Sequence, residues 1–121
     1  MGTGCWDIRE AGQMPDVRFT IEDYCFVYDA RKGALNKQKH GISFETAAYV
    51  FQDNLRLDFE DSRHSTLDEE RWMTIGLVKD VLTVVCCERS EDGKDYYRLI
   101  SARQATPVER KLYNDAVFGR M

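Results

Sequence analysis

The chain has 121 residues, 43% of them apolar and 12% aromatic, which suits one domain with a single core and argues against disorder. No apolar run approaches the roughly 18 to 20 residues a membrane helix needs, and the opening MGTGCWDIREAGQMPD lacks a signal-peptide pattern, so a cytoplasmic protein with no membrane partner is expected. The net charge of −4 comes from residues 1–30, with six acids against Arg9 and Arg18; residues 31–121 hold 15 acidic and 15 basic residues, so a basic groove is not excluded.

Residues 1–18 carry glycine, proline and scattered charges without a period and read as a flexible extension ahead of one domain over 19–121. Tyr24–Tyr28 reads as a strand. The run YDARKGALNKQKHGISF follows, with Asp29 as an N-cap, a helix carrying Arg31, Lys32, Lys37, Lys39 and His40, and Gly41 just past its end. Two readings are open for this helix. It offers an anion such as an RNA phosphate both charge and an imidazole proton, or it is a solvated amphipathic helix whose His40 faces its own last carbonyls. Ser43 caps a second helix, from about 44 to 52, in which Phe44, Ala47, Ala48 and Phe51 recur at core spacing.

From Leu55 the pattern turns to β, as Leu55, Leu57 and Phe59 alternate with Arg56, Asp58 and Glu60. A polar loop over 61–68 holds His64. Arg71–Val78 and Val81–Glu88 read as a hairpin around Lys79-Asp80; a two-residue loop would set Glu70 opposite Arg89 and Arg71 opposite Glu88. After a turn cluster, SEDGKD, a fourth strand spans Tyr96–Ala102. Thr106, Pro107 and Glu109 form a capping box with proline at the first helical position, opening a last helix to about Val117. The expected fold is α+β: two N-terminal helices, a mostly antiparallel four-stranded sheet and a C-terminal helix.

Cys5, Cys25, Cys86 and Cys87 form no disulfide framework. Cys86 and Cys87, adjacent within a strand, point to opposite faces. With no CxxC and no ligand-like spacing for His40 or His64, no metal site is expected. Arginine is frequent on the strands: Arg71, Arg89, Arg98 and Arg103. Strict alternation groups Arg98 with Tyr96, Ile100 and Ala102, and groups Ser101 with Tyr97, Leu99 and Arg103. A strand face of arginine, tyrosine and serine suits single-stranded RNA, with cations on phosphates and rings on bases. The alternative is a structural network of these arginines with Glu70, Glu88 and Glu109. RNA cleavage without metal needs a base for the 2′-OH, an acid for the leaving oxygen and cations for the phosphorane; His40, His64, Glu70, Arg71, Arg89 and Arg98 would supply them.

Over residues 26–115 the chain resembles the BrnT family of type II toxins. Three stretches carry the resemblance. The first is Asp29, Lys32, Asn36, Lys39, His40, Gly41, Ser43, Phe44 and Glu45. The second is His64-Ser65 with Glu69-Glu70-Arg71-Trp72 and Ile75-Gly76. The third is Glu88-Arg89, Arg98–Arg103, Glu109-Arg110 and Tyr113. The resemblance implies a RelE-like ribonuclease that cleaves RNA to halt growth and needs no cofactor. It also implies a BrnA-like ribbon-helix-helix antitoxin, operator DNA reached through that antitoxin, and a toxin–antitoxin heterotetramer. His40, His64, Glu70, Arg71, Arg89 and Arg98 are then the catalytic candidates, and Lys32, Lys39, Tyr97, Ser101 and Arg103 the RNA-binding ones. Tyr28 stands where the family has tryptophan, and Cys87 where threonine is common, which bears on hydrogen bonding near Arg89. The alternative from another class is a catalytically degenerate module, acting as antitoxin partner and co-repressor.

Overall fold

Caps and turns place most elements where their residues predict them. The computed structural model describes residues 15–63, 65 and 69–119. Asp29 caps α1 (Ala30–His40), its carboxylate accepting from the Arg31 and Lys32 amides at 2.9 and 3.1 Å. Gly41, at φ 75°, ends the helix with its amide on the Lys37 carbonyl. Ser43 caps α2 (Phe44–Ala47), which tightens into a 3-10 turn over Ala48–Gln52. Thr106 and Glu109 complete both bonds of the capping box at the start of α3 (Pro107–Phe118).

The sheet is larger than expected and mixed. Six strands among the described residues, β1 (Asp16–Ile21), β2 (Tyr24–Asp29), β3 (Leu57–Glu60), β4 (Arg71–Leu77), β5 (Val81–Glu91) and β6 (Lys94–Gln104), lie in the order β1-β2-β6-β5-β4-β3. This corrects the four-stranded expectation. The helices also do not begin the domain, since a β-hairpin precedes them. Every neighbouring pair is antiparallel except β2 with β6. Strand β1 begins inside the stretch read as an extension, while residues 1–14 lie outside the described ones. It alternates Asp16, Arg18 and Thr20 with Val17, Phe19 and Ile21, and turns into β2 through Glu22 at φ 52°. Without glycine or asparagine that turn left little trace in the sequence.

One face of the sheet is closed. Phe26, Leu82, Val84, Cys86, Leu99 and Ala102 pack under Phe44, Ala47, Ala48 and Phe51, the four residues whose spacing predicted a core face. Asn36 of α1 sews the helix to the sheet. Its side-chain amide takes the amide and carbonyl of Ala102 at 3.0 and 2.9 Å and the Ile42 carbonyl at 3.0 Å. β2 pairs with β6 only at Tyr97 and Arg98, so farther along Asn36 satisfies strand groups that β2 leaves unpaired. Among the described residues the opposite face is covered at one end alone, where Tyr113 and Val117 of α3 pack on Ile75, Val81 and Ala105.

Register decides what the uncovered part displays. The β4–β5 loop has three residues, Val78 to Asp80, with Leu77 opposite Val81. Arg71 therefore faces Cys87, and neither Arg71–Glu88 nor Glu70–Arg89 is a cross-strand pair. A one-residue slip carries each side chain to the other face. The β5–β6 turn is Asp92-Gly93, both left-handed at φ 55° and 76°, the favoured tight-hairpin geometry. Farther along, Val85 faces Ser101 while Cys86 faces Leu99, so Ile100 is an extra residue in a β-bulge. The bulge resets the alternation. Arg98, Ser101 and Arg103 share one face; Tyr97, Leu99 and Ala102 share the other.

Candidate nucleic-acid interface

The uncovered half of the second face is built from adjacent strands. Arg71 on β4 faces Cys87 on β5, Cys87 faces Arg98 on β6, Arg98 lies beside Val27 on β2, and Val27 faces Arg18 on β1. One row over, Arg89 faces Tyr96. Neighbouring strands lie about 4.8 Å apart, so Arg71 and Arg98 stand about 10 Å from each other across Cys87. Cys87 is a buried floor, 1% exposed, between partly exposed guanidiniums.

Carboxylates already hold these guanidiniums. Glu69, just before β4, accepts from Arg71 Nε at 3.2 Å and from Arg89 at 2.6 Å. The Arg71 hydrogen bond, with the Cys87 thiol and the Arg89 charge behind it, keeps the Glu69 carboxyl below its ordinary range. Burial, followed by the charge of Glu69, pushes the Cys87 thiol up. Asp16 grips Arg98 through both oxygens, at 3.2 and 3.4 Å. Ser65 accepts from the Arg71 amide at 2.9 Å and donates to the Asp61 carbonyl at 2.8 Å, tying the β3–β4 loop to the start of β4. His64, next to Ser65, lies outside the described residues.

The structure thus brings together Arg71, Arg89 and Arg98 and sets the other described candidates apart. Glu70 holds no arginine among the described residues; its carboxylate accepts from the Trp72 indole at 3.1 Å. Tyr97 faces the helices, its ring 4.8 Å from that of Phe51, so the ring on the arginine face is Tyr96. Arg103 sits at the covered end in a two-bond pair with Glu109, at 2.7 and 2.9 Å. Ser101, facing Val85, stands between the two ends. Lys32, Lys39 and His40 belong to α1, on the opposite side of the sheet. The basic helix therefore does not wall the arginine groove, and its last-turn cations Lys37, Lys39 and His40 lie at the negative end of the helix dipole.

Sequence reasoning passed over Glu69 and Asp16, although a signal existed for each. Glu69 and Arg71 are two apart in extended chain and share a side. Asp16 belongs to a perfect alternation that the extension reading absorbed. Among the described residues no His/Cys/Asp/Glu cluster fit for a metal occurs, and no helix is long and apolar enough to cross a membrane.

An open sheet face with three guanidiniums on neighbouring strands, a shared carboxylate and a flanking tyrosine can grip a phosphodiester and neutralise charge developing on it. No curated protein matches the chain. The family described as the ribonuclease toxin, BrnT, of type II toxin-antitoxin systems matches residues 28–109, about two thirds of the chain, from the end of β2 to the first turn of α3. The chain belongs to the BrnT family of ribonuclease toxins of type II toxin-antitoxin systems.

Proposed function

We propose that the chain is a metal-independent endoribonuclease, with its centre on the open half of the sheet around Arg71, Arg89 and Arg98. The observation that carries this reading is the clustering of three guanidiniums from three adjacent strands, two of them on one carboxylate. An RNA phosphate displaces Glu69 from Arg89 and Asp16 from Arg98, exchanging one set of charge-assisted bonds for another. The 2′-oxygen then attacks phosphorus as a base takes its proton, and the 5′-oxygen leaves with a proton from an acid. The arginines stabilise the phosphorane, and the products are a 2′,3′-cyclic phosphate and a 5′-hydroxyl end. His64 is the proposed proton carrier, since it precedes Ser65, which is bonded to the Arg71 amide. Glu69 holds the guanidiniums in position between turnovers.

The biological reading follows the family. Cleavage of cytoplasmic RNA inhibits translation and growth, and a BrnA-like ribbon-helix-helix antitoxin neutralises the toxin. The two assemble as a heterotetramer that represses its operator, with the toxin domain running from β1 to α3. A second reading, a catalytically inert antitoxin partner and co-repressor, draws on the carboxylates that occupy all three arginines. Expression without antitoxin separates the two. The enzyme arrests growth and cleaves RNA in vitro in the presence of a chelator, and Arg89→Ala does neither. Equal growth with both proteins and no cleavage by the wild type would leave the co-repressor reading.

A further inference from the structure

The open half of the sheet continues past Arg98 onto β1, where Arg18 lies over the Tyr96 ring, its guanidinium carbon 5.6 Å from the centroid. Beside them opens a cavity of about 470 Å³, lined also by Thr20, Glu91, Asp92 and Lys94. That volume lies within the roughly 300–1,000 Å³ of ordinary ligand pockets. Arg18 shares the arginine face, because it stands opposite Val27, the β2 neighbour of Arg98. Arg71, Arg89, Arg98 and Arg103 are each ion-paired, whereas Arg18 is exposed and forms no ion pair among the described residues. β1 also precedes the part of the chain that the family covers, residues 28–109. The pocket is therefore assembled from a strand outside that match and a tyrosine inside it.

We propose that this pocket is a nucleotide subsite that extends the RNA track beyond the cleaved bond. The proposal rests on the ribonuclease reading above. Arg18 lies over the tyrosine ring and lines the cavity, so an unpaired base entering it stacks on the guanidinium, sequence-tolerantly, as on other arginine–aromatic platforms. The free N–H groups of Arg18 and the Lys94 ammonium at the rim take the phosphate of that nucleotide. Glu91 and Asp92 repel phosphate on their side of the opening and accept from the N–H edge of a base. The carboxylates thus orient the nucleotide, base toward the β5–β6 turn and phosphate toward Arg18.

The test uses the full chain and two substrates: a length series of single-stranded RNA, and the longest member as its uncleavable 2′-O-methyl form. Arg18→Ala and Tyr96→Ala are expected to weaken binding of the uncleavable RNA roughly five- to tenfold. Arg18→Ala should raise KM for long RNA by a similar factor, leave kcat within about twofold, and match wild type on the shortest RNA that is cleaved. Arg18→Lys restores part of the phosphate contact without the flat stacking surface, and so recovers part of the affinity. The binding measurement stands even if no cleavage occurs, so failure of the ribonuclease reading and failure of the subsite are read separately. Wild-type affinity in both alanine variants, with melting temperatures unchanged, would overturn the subsite. Loss of antitoxin binding alone, with RNA binding intact, would overturn it too and make the pocket a protein contact.

Discussion

Two groups of arginine on one sheet face differ in what surrounds them. At the covered end Arg103 meets a single carboxylate, Glu109, through two bonds and also donates to the Gln104 carbonyl, and Glu109 accepts from Thr83 and from the Thr106 amide as well. Those contacts, led by the Arg103 hydrogen bond, lower the Glu109 pKa to about 2. At the open end one carboxylate, Glu69, is divided between Arg71 and Arg89, and Asp16 reaches Arg98 from an edge strand at longer distances. A guanidinium with one fully satisfied partner under a helix is part of the structure. Guanidiniums that share a half-buried carboxylate at an open surface can exchange it for a phosphate. The contrast separates the structural reading of strand arginines from the functional one, residue by residue.

The largest expected effect tests that separation. Arg71→Ala and Arg98→Ala should each lower kcat/KM for RNA about 100-fold or more while changing the melting temperature little, as for loss of a group that stabilises developing charge. Arg103→Ala should do the reverse, costing about 1–3 kcal/mol of stability because it strands a half-buried carboxylate. Activity per folded molecule should then stay within a few-fold of wild type. Melting curves and initial rates on the same preparations check both, and a fold-neutral Arg103→Ala without activity would break the comparison.

Acid titration gives an intermediate effect. The Glu109 carboxyl is held near 2 in the folded chain against an ordinary 4.5, so its pairing contributes fully above about pH 4.5 and is lost as pH falls toward 2. Thermal melts between pH 6 and 2 should show wild type falling more steeply than Glu109→Gln, which starts lower and loses less. Parallel curves would mean that Arg103–Glu109 is no stronger a pair than those at the open end. The smallest effect concerns Glu69. Glu69→Gln removes the competitor of the phosphate, so affinity for uncleavable RNA should rise about two- to threefold at low salt and converge with wild type as salt increases. Weaker binding by this variant would recast Glu69 as a group that RNA needs in place.

Much of the fold was legible locally. The Asp29, Ser43 and Thr106 caps, the Gly41 stop and the Phe44–Phe51 spacing each express a preference within a few residues, and each reappears in the structure. The placement of Cys86 and Cys87 on opposite faces follows from the same short-range geometry. Cys86 lies in the core, while Cys87 hydrogen-bonds to Glu69. The family resemblance rested on residues spread along the chain, and the family match covers 28–109.

The site was less legible, because its composition depends on parity. One residue more in the Val78–Asp80 turn moved Glu88 off the Arg71 face, and one more at Ile100 in β6 parted Ser101 and Arg103 from Tyr97 and Leu99 and brought them onto the Arg98 face. Neither shift has a glycine or proline to announce it. Residue types, caps and the cationic character of the strands belong to the sequence by itself, since they are properties of single residues and near neighbours. Which arginines meet, which carboxylates hold them, and the separation of His40 from them by a sheet belong to the tertiary structure. They follow from strand register and from the parallel β2–β6 pairing, which joins residues about 70 positions apart through hydrogen bonds that no local preference encodes.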